Sequence, residues 1–274
     1  MNVSQTNELA KKVRRDIVDL TYQAGNNGTH IGGSLSIVEL LSVLYNDIMN
    51  IDKENLADEY RDRFIMSKGH GAMAQYAVMH RTGLLSEEDI KTFRKDGSAF
   101  STHPCMNVKK GIEFSSGSLG HGLSLGVGSA LALKKKGNLK SKVFVMMGDG
   151  ECDEGSVWEA AMSATNFKLD NLVVIIDKNR LQVDGFVEDV MKQESLEEKW
   201  KSFGWDVYST DGHNVESIYN TFTAALKNQT QAAVVFANTI KGKGISFIEN
   251  RNNWHIGVLN EESYKQAVEE LERQ

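Results

Sequence analysis

The chain places a carboxylate between two glycines directly after one apolar run, and a carboxamide shortly after the next. Gly148, Asp149 and Gly150 follow the run VFVMM at 143–147, and Asn179 follows the run LVVIID at 172–177, with 28 residues between Gly150 and Asn179. Glycines let backbone N–H groups approach an anion closely, above all near a helix N-terminus. Carboxylate and amide oxygens suit Mg²⁺ that also binds substrate phosphates. The pattern therefore predicts a site for a diphosphate and a divalent cation.

The elements that must position these residues alternate between short apolar strands and helices from residue 142 onward. Apolar runs predict strands at 143–147, 172–177, 205–209 and 232–237, and helices lie between or after them near 155–167, 195–203, 215–228 and 261–273. Such a pattern is typical of an α/β fold with a doubly wound parallel sheet and helices on both faces. Ligands bind beyond the carboxyl ends of the strands in these sheets. We therefore expect the loops after residues 147 and 177 to meet there.

The first 140 residues favour helices joined by three glycine-rich loops at 28–34, 67–72 and 115–122. Ser36 and Glu39 have the spacing of a capping box for a helix over the apolar run 37–48. Ser86, followed by three acidic residues, predicts the start of another helix. We expect residues 1–274 to form one domain, with a helical, glycine-rich part over 1–140 and an alternating strand–helix part over 141–274.

Composition excludes several classes of protein. The 31 Lys plus Arg and 37 Asp plus Glu residues give a net charge of −6, which argues against a nucleic-acid partner. The one basic cluster, at 134–142, is interpreted as a solvated helix end. Cys105 and Cys152 lie too far apart in sequence to indicate a disulfide framework or a zinc site. The longest apolar run, at 172–176, is far shorter than the ~20 residues that span a bilayer. We expect a soluble, cytoplasmic protein with no membrane partner.

Seven segments, taken in order, resemble the N-terminal half of transketolases. They are RDRFIMSKGHGAMAQYAVM (61–79), STHPCMN (101–107), EFSSGSLGHGLSLGVGSALA (113–132), GDGECDEGSVWEAAMSA (148–164), IIDKNRLQVDG (175–185), DGHN (211–214) and IKGKGISFIENRNNWH (240–255). The spacing of the GDG segment and Asn179 also resembles the thiamine diphosphate signature. The resemblance implies a thiamine diphosphate-binding fold. It further implies transfer of two-carbon ketol units with thiamine diphosphate and Mg²⁺ (or Ca²⁺) as cofactors.

The resemblance also implies roles for individual residues. Asp149, the Asn179 side chain and the Leu181 carbonyl would bind the metal. The cofactor-binding set would be His70, Ser118, Leu119, Gly148, Asp149, Gly150, Glu151, Glu154, Asn179, Lys241 and His255. The catalytic set would be His30, His70, His103 and His255, because neutral imidazoles can move protons near pH 7. Glu154 matches an acid that reaches the catalytic glutamate of the neighbouring half.

Some positions depart from the family pattern. Thr29 and Ile31 flank His30 where the family commonly has glycine and proline, and His121 stands where glutamine is frequent. We interpret His121 as tuning its loop, with contact to substrate as the alternative. His213 is interpreted as a residue that orders its loop.

The chain resembles the N-terminal subunit of split transketolases. A separate C-terminal subunit would then supply the pyrimidine-binding and C-terminal domains, with two copies of each chain and sugar phosphates as substrates. Pentose-phosphate ketoses are the default donors, and a specialised sugar such as a sulfonated one remains open.

Three other interpretations stay open at this point. They are the α subunit of a 2-oxo-acid dehydrogenase E1 component, a deoxyxylulose-phosphate synthase, and a non-catalytic regulatory subunit. The segments at 67–72 and 101–107 and the tail at 240–255 favour transketolase over the other enzymes. Retention of the proposed site residues argues against a degenerate subunit.

Overall fold

The computed structural model describes residues 1–227 and 230–273. Its core is a parallel five-stranded sheet in the order β1-β2-β3-β5-β4. The strands are β1 (Arg63–Met66), β2 (Val143–Gly148), β3 (Leu172–Lys178), β4 (Asp206–Asp211) and β5 (Ala233–Asn238). The predicted α/β fold with a parallel sheet is therefore confirmed, and four of these strands fall on the predicted apolar runs.

Eleven α-helices accompany the sheet in the described residues. They are α1 (Val3–Gln23), α2 (Ile31–Leu35), α3 (Val38–Val43), α4 (Ala72–Arg81), α5 (Glu87–Lys91), α6 (His121–Lys135), α7 (Gly155–Asn166), α8 (Val187–Val190), α9 (Leu196–Ser202), α10 (Val215–Lys227) and α11 (Glu261–Glu272). The predicted helices near 155–167, 195–203 and 261–273 are confirmed. The helix near 215–228 is confirmed through Lys227, and residue 228 lies outside the described residues.

Both faces of the sheet are buried, because side chains of one strand point alternately to the two sides. Phe144 and Met146 of β2 pack into a core with α1, α3, α4 and α10. Val145 and Met147 of the same strand pack into a second core with α6, α7 and α9. This arrangement explains why the strands are continuously apolar and leaves their carboxyl ends free for the loops that follow.

The N-terminal part contains two departures from the sequence prediction. β1 was missed because its four residues lie among segments with helical patterns, and only its pairing with β2 makes it a strand. The capping box of Ser36 and Glu39 was wrong. Ile37 precedes α3, which continues as a π-helix over Leu44–Ile48. The Ser36 hydroxyl donates instead to the Asp177 carboxylate at 2.7 Å, and it also lies 3.2 Å from the Gly33 carbonyl.

Other local predictions are confirmed. Ser86 caps α5 by accepting the Asp89 N–H, in a capping box. The basic cluster begins in the last turn of α6, at Lys134 and Lys135, and continues into the turn after it, as predicted, except that Lys142 is half-buried directly before β2. Over residues 1–227 and 230–273, no helix is long and apolar enough to cross a membrane.

Candidate active site

The loops after β1, β2 and β3 meet at the carboxyl edge of the sheet and enclose a cavity of about 130 Å³. Its lining includes residues from the loops at 67–72, 115–122 and 148–151, from 179–184, and His255. Members of the predicted cofactor-binding set that line it are His70, Leu119, Gly148, Asp149, Gly150, Glu151, Asn179 and His255. Residues far apart in sequence are thus brought together at the carboxyl ends of the parallel strands, where the predicted α/β fold would bind a ligand.

Oxygen atoms of the predicted metal-binding residues are held by short loops. Asp149 accepts the N–H groups of Gly150 at 2.9 Å and Arg180 at 2.6 Å. Asn179 Oδ1 accepts the Leu181 N–H at 3.0 Å. Burial, together with the negative charge of Asp177, raises the pKa of Asp149 to about 6. A cation beside this carboxylate would relieve both effects.

The donor set suits a hard divalent cation. Among the described residues no cluster of three or more His, Cys, Asp or Glu side chains could hold a metal by itself. A metal at Asp149 would therefore rely on one carboxylate, on amide or carbonyl oxygens, and on oxygens of a bound ligand. That is the coordination Mg²⁺ prefers when it binds a diphosphate.

A buried ion pair lies behind these ligands. The side chains of Lys68 and Asp177 are both 0% exposed and are bonded to each other. Asp177 also accepts from the Ser36 and Thr239 hydroxyls and, at 2.8 Å, from Asn179 Nδ2. Burial opposes ionisation of Asp177, but the Lys68 ammonium and these hydrogen bonds hold its pKa below the usual value. Asp177 therefore remains an anion inside the protein.

The four histidines predicted to be catalytic form one cluster. The His30 ring centroid lies 5.2 Å from those of His103 and His255 and 5.9 Å from that of His70, and His70 lies 5.2 Å from His255. Burial and neighbouring positive groups lower the pKa of His30 to about 4 and that of His255 to about 3. Burial also lowers the pKa values of His70 and His103. All four imidazoles are therefore neutral near pH 7, the form that can both donate and accept a proton.

Lys241 supplies a cation next to the histidines. Its ammonium donates to His255 Nδ1 at 3.1 Å and to the Leu181 carbonyl at 3.3 Å. Burial and the charge of Lys68 lower the pKa of Lys241 to about 8, so the side chain stays mainly protonated at pH 7. Because His255 Nδ1 accepts this bond, the proton of the neutral ring lies on Nε2.

Backbone hydrogen bonds that any residue except proline at position 29 could make join the loop of His30 to the loop of His255, and the two departures beside His30 add further bonds. Thr29 and Gly257 exchange backbone hydrogen bonds at 2.9 and 2.8 Å. The Thr29 hydroxyl bonds to that of Thr21 at 2.9 Å. The Ile31 N–H donates to the Thr29 carbonyl at 2.9 Å, a bond that proline could not make. These substitutions therefore bring their own hydrogen bonds to the loop.

Glu151 lines the cavity and also holds neighbouring loops together, whereas two further members of the predicted set are exposed. The Glu151 carboxylate accepts from the backbone N–H of Gly120 at 2.9 Å and of Gly148 at 3.0 Å, and from the Ser67 hydroxyl, so it links three loops inside the protein. Ser118 and Glu154 are exposed. His121 is also exposed, at the first residue of α6.

His213 orders its loop, as predicted. Its Nδ1 bonds to Glu39 at 3.0 Å, and its Nε2 accepts the Ile240 N–H at 2.8 Å. Lys68, Asp177 and Thr239 also belong to the site and were not among the predicted site residues. Sequence features could have identified two of them. Asp177 stands at the end of a buried strand, and Lys68 lies in a glycine-rich loop.

Comparison with known proteins places this geometry in a family. The family model described as "Transketolase, thiamine diphosphate binding domain" matches residues 5–272. A subunit of the apulose-4-phosphate transketolase of Phocaeicola vulgatus is 43% identical over 271 residues, which cover 99% of this chain and 95% of that protein. The 6-deoxy-6-sulfo-D-fructose transketolase subunit SqwG of Clostridium sp. is 42% identical over 245 residues, 89% of each chain.

Longer relatives match over part of their length. Human transketolase is 33% identical over 264 residues, which are 96% of this chain and 41% of that protein. The crystal structure of transketolase from Campylobacter jejuni has a TM-score of 0.90 and 31% identity, covering 99% of this chain and 43% of that one. The chain thus spans about two fifths of these longer transketolases.

Proposed function

The chain belongs to the transketolase family, whose thiamine diphosphate-binding domain it matches, and on this premise we propose its reaction and its partner. Together with a separate C-terminal subunit, it transfers a two-carbon ketol unit from a ketose to an aldose, using thiamine diphosphate and Mg²⁺. The observation that carries this proposal is the convergence of the Asp149 and Asn179 oxygens, two buried lysines and four neutral imidazoles at one edge of the sheet.

In this proposal the metal is held by Asp149, by Asn179 Oδ1 and by the Leu181 carbonyl. The positive charge of Lys241 lies close enough to this region to favour a diphosphate electrostatically, whereas the charge of Lys68 is balanced by Asp177. Thiamine diphosphate, when bound, supplies the carbanion chemistry that breaks and forms the C–C bond. The protein contributes binding, orientation and a defined set of proton donors and acceptors.

The imidazoles provide those proton-transfer groups. His30 and His103 lie next to each other and are neutral, so either can hold a sugar hydroxyl or move its proton. His255 accepts from Lys241 at Nδ1 and therefore presents Nε2–H as a donor. Several such groups are useful because cleavage and transfer change the protonation of more than one sugar oxygen.

The proposed partner is the C-terminal half of a transketolase. Two relatives named as transketolase subunits are covered over 95% and 97% of their length, whereas human transketolase is covered over 41%. Large apolar side chains are exposed in the two chain segments that contribute the cavity-lining residues 181–184 and His255, which is typical of a surface that a partner covers. They are Val183, Phe186, Val190 and Met191 of the 181–191 segment and Ile256 and Val258 after His255. We propose an assembly with two copies of each chain.

The proposed donor is a ketose with an anionic group at its far end. One relative is named for apulose 4-phosphate and another for 6-deoxy-6-sulfofructose, so the shared chemistry is a ketose that carries a phosphate or a sulfonate. In this proposal, residues of the partner protein mainly determine whether a phosphate or a sulfonate is bound.

The test is a ketol-transfer assay with xylulose 5-phosphate, apulose 4-phosphate and 6-deoxy-6-sulfofructose as donors. This chain alone, the partner alone and their mixture are assayed with thiamine diphosphate, with and without Mg²⁺. We expect transfer only in the mixture, dependent on Mg²⁺, with the best donor identifying the anionic group. Decarboxylation of a 2-oxo acid by the mixture would favour the dehydrogenase alternative. A complex that binds no cofactor would favour a regulatory subunit.

A further inference from the structure

Asn179 has a side-chain amide whose two ends differ in charge, and only one end suits a cation. The oxygen is partly negative and can bind a metal, whereas the NH₂ group is a donor with no lone pair for one. In the structure Nδ2 donates to the Asp177 carboxylate at 2.8 Å, and Oδ1 accepts the Leu181 N–H at 3.0 Å. We infer that Asp177 is a positioning residue that fixes which end of the Asn179 amide faces the metal. This inference rests on the proposed function, since that proposal places a metal at Asn179.

Both neighbours of the amide select the same orientation. Rotation by 180° would place Oδ1 against the Asp177 carboxylate, which as an anion can only accept hydrogen bonds. The same rotation would place the NH₂ group against the Leu181 N–H, so that two donors would face each other. The bond to Asp177 is charge-assisted and buried, which makes it the stronger of the two constraints.

Asp177 can fix the amide because it is itself held from several elements. Lys68 follows β1, Ser36 lies between α2 and α3, and Thr239 follows β5, and each donates to its carboxylate. The residue is 0% exposed, so solvent offers it no alternative partner. The orientation of Asn179 is therefore set before any metal arrives.

A single substitution of Asp177 would not isolate this role, because it would also leave the Lys68 ammonium buried without a counterion. That loss destabilises the fold, and it places an unbalanced positive charge near the metal site. The comparison is therefore made between two double variants that share the K68M substitution, K68M/D177N and K68M/D177L. Both remove the ion pair. The D177N side chain keeps a carbonyl oxygen that can accept from Asn179 Nδ2, whereas the D177L side chain has no acceptor.

The experiment measures Mg²⁺ binding in the complex with the C-terminal subunit, from retention of thiamine diphosphate in equilibrium dialysis at increasing Mg²⁺. Loss of a side chain that orients a metal ligand typically lowers metal affinity about 10- to 100-fold. By the same principle, we expect K68M/D177L to need about 10- to 100-fold more Mg²⁺ than K68M/D177N. Thermal unfolding of the two metal-free variants is measured in parallel, and dialysis is performed well below the lower melting temperature, because K68M/D177L also leaves the Ser36 and Thr239 hydroxyls without their acceptor. If K68M/D177L does not fold, K68M/D177A takes its place, because it adds no side-chain volume.

The outcomes separate this inference from the proposed function. Equal Mg²⁺ requirements for the two double variants would overturn the positioning role, provided that N179A raises the requirement. If wild-type protein retains the cofactor as well without Mg²⁺ as with it, or if N179A needs no more Mg²⁺ than the wild type, the proposed metal site itself is wrong. Higher Mg²⁺ affinity in K68M/D177N than in K68M/D177L supports the inference that an acceptor at position 177 orients the Asn179 amide, since the two variants carry the same charge.

Discussion

Substitution of Gly33 by alanine tests whether the position of the His70 ring matters for catalysis. Gly33 lies in α2, and a Cβ atom built on it would be 2.8 Å from His70 Cδ2 and 3.3 Å from Nε2. Ordinary contacts begin at 3.4 Å, so the ring must retreat by about 0.6 Å. Because the His30 and His255 rings lie beside His70, the retreat disturbs the cluster that we propose to be catalytic.

The expected magnitude follows from this displacement. A misplacement of about 1 Å in the groups at an active site can reduce the rate about 100-fold. A shift of about 0.6 Å in one ring should therefore lower kcat/KM about 10-fold, equivalent to about 1.4 kcal/mol. Alanine is also the better helix former, by about 1 kcal/mol, which offsets part of the strain. We expect the melting temperature of G33A to stay within a few degrees of the wild type.

The assay compares kcat/KM for ketol transfer and thermal unfolding in G33A and in G128A. Gly128 is the matched control, because it lies inside α6 and a Cβ there meets nothing within 4 Å. G128A should keep wild-type kcat/KM. If G33A also keeps wild-type kcat/KM and wild-type cofactor affinity, the proposed role of the His70 position is refuted.

Three further predictions concern the metal, the substrate and pH. D149A should lose Mg²⁺ and thiamine diphosphate together in equilibrium dialysis of the complex, and normal cofactor affinity would contradict the metal assignment. H103A should lower donor turnover while leaving the dissociation constant of the cofactor unchanged, and unchanged turnover would remove His103 from the site. The pKa of His30 is about 4 in the folded chain, whereas its ordinary value is 6.5. As pH falls below about 6.5, protons therefore bind preferentially to the unfolded state, which lowers the stability of the folded chain. H30Q should therefore lose less thermal stability than the wild type between about pH 7 and about pH 5, and equal losses would argue against a buried, neutral His30.

Much of the sheet and of the site could be predicted because the informative residues are local. Fully buried strands such as β2 and β3 are continuous apolar runs, and Asp149 and Asn179 stand immediately beyond them. The glycine-rich loops carry His30, His70 and Ser118, and a parallel sheet gathers such loops at one edge.

The remaining features depend on contacts that no local pattern records. Lys68 and Asp177 are 109 residues apart, and they meet because β1 and β3 both flank β2. Ser36 has the spacing of a helix cap, but its hydroxyl bonds to the Asp177 carboxylate instead, so tertiary contact overrides the local signal. β1 has four residues and becomes a strand only through its register with β2.

The most direct test of the shared active site is a titration of this chain with its C-terminal partner, followed by ketol-transfer activity at saturating thiamine diphosphate and Mg²⁺. We predict no activity without the partner, a linear rise as it is added, and a plateau at one equivalent. Activity of this chain alone would contradict the account. So would a stoichiometric complex that binds the cofactor and transfers a ketol unit from none of the three donors.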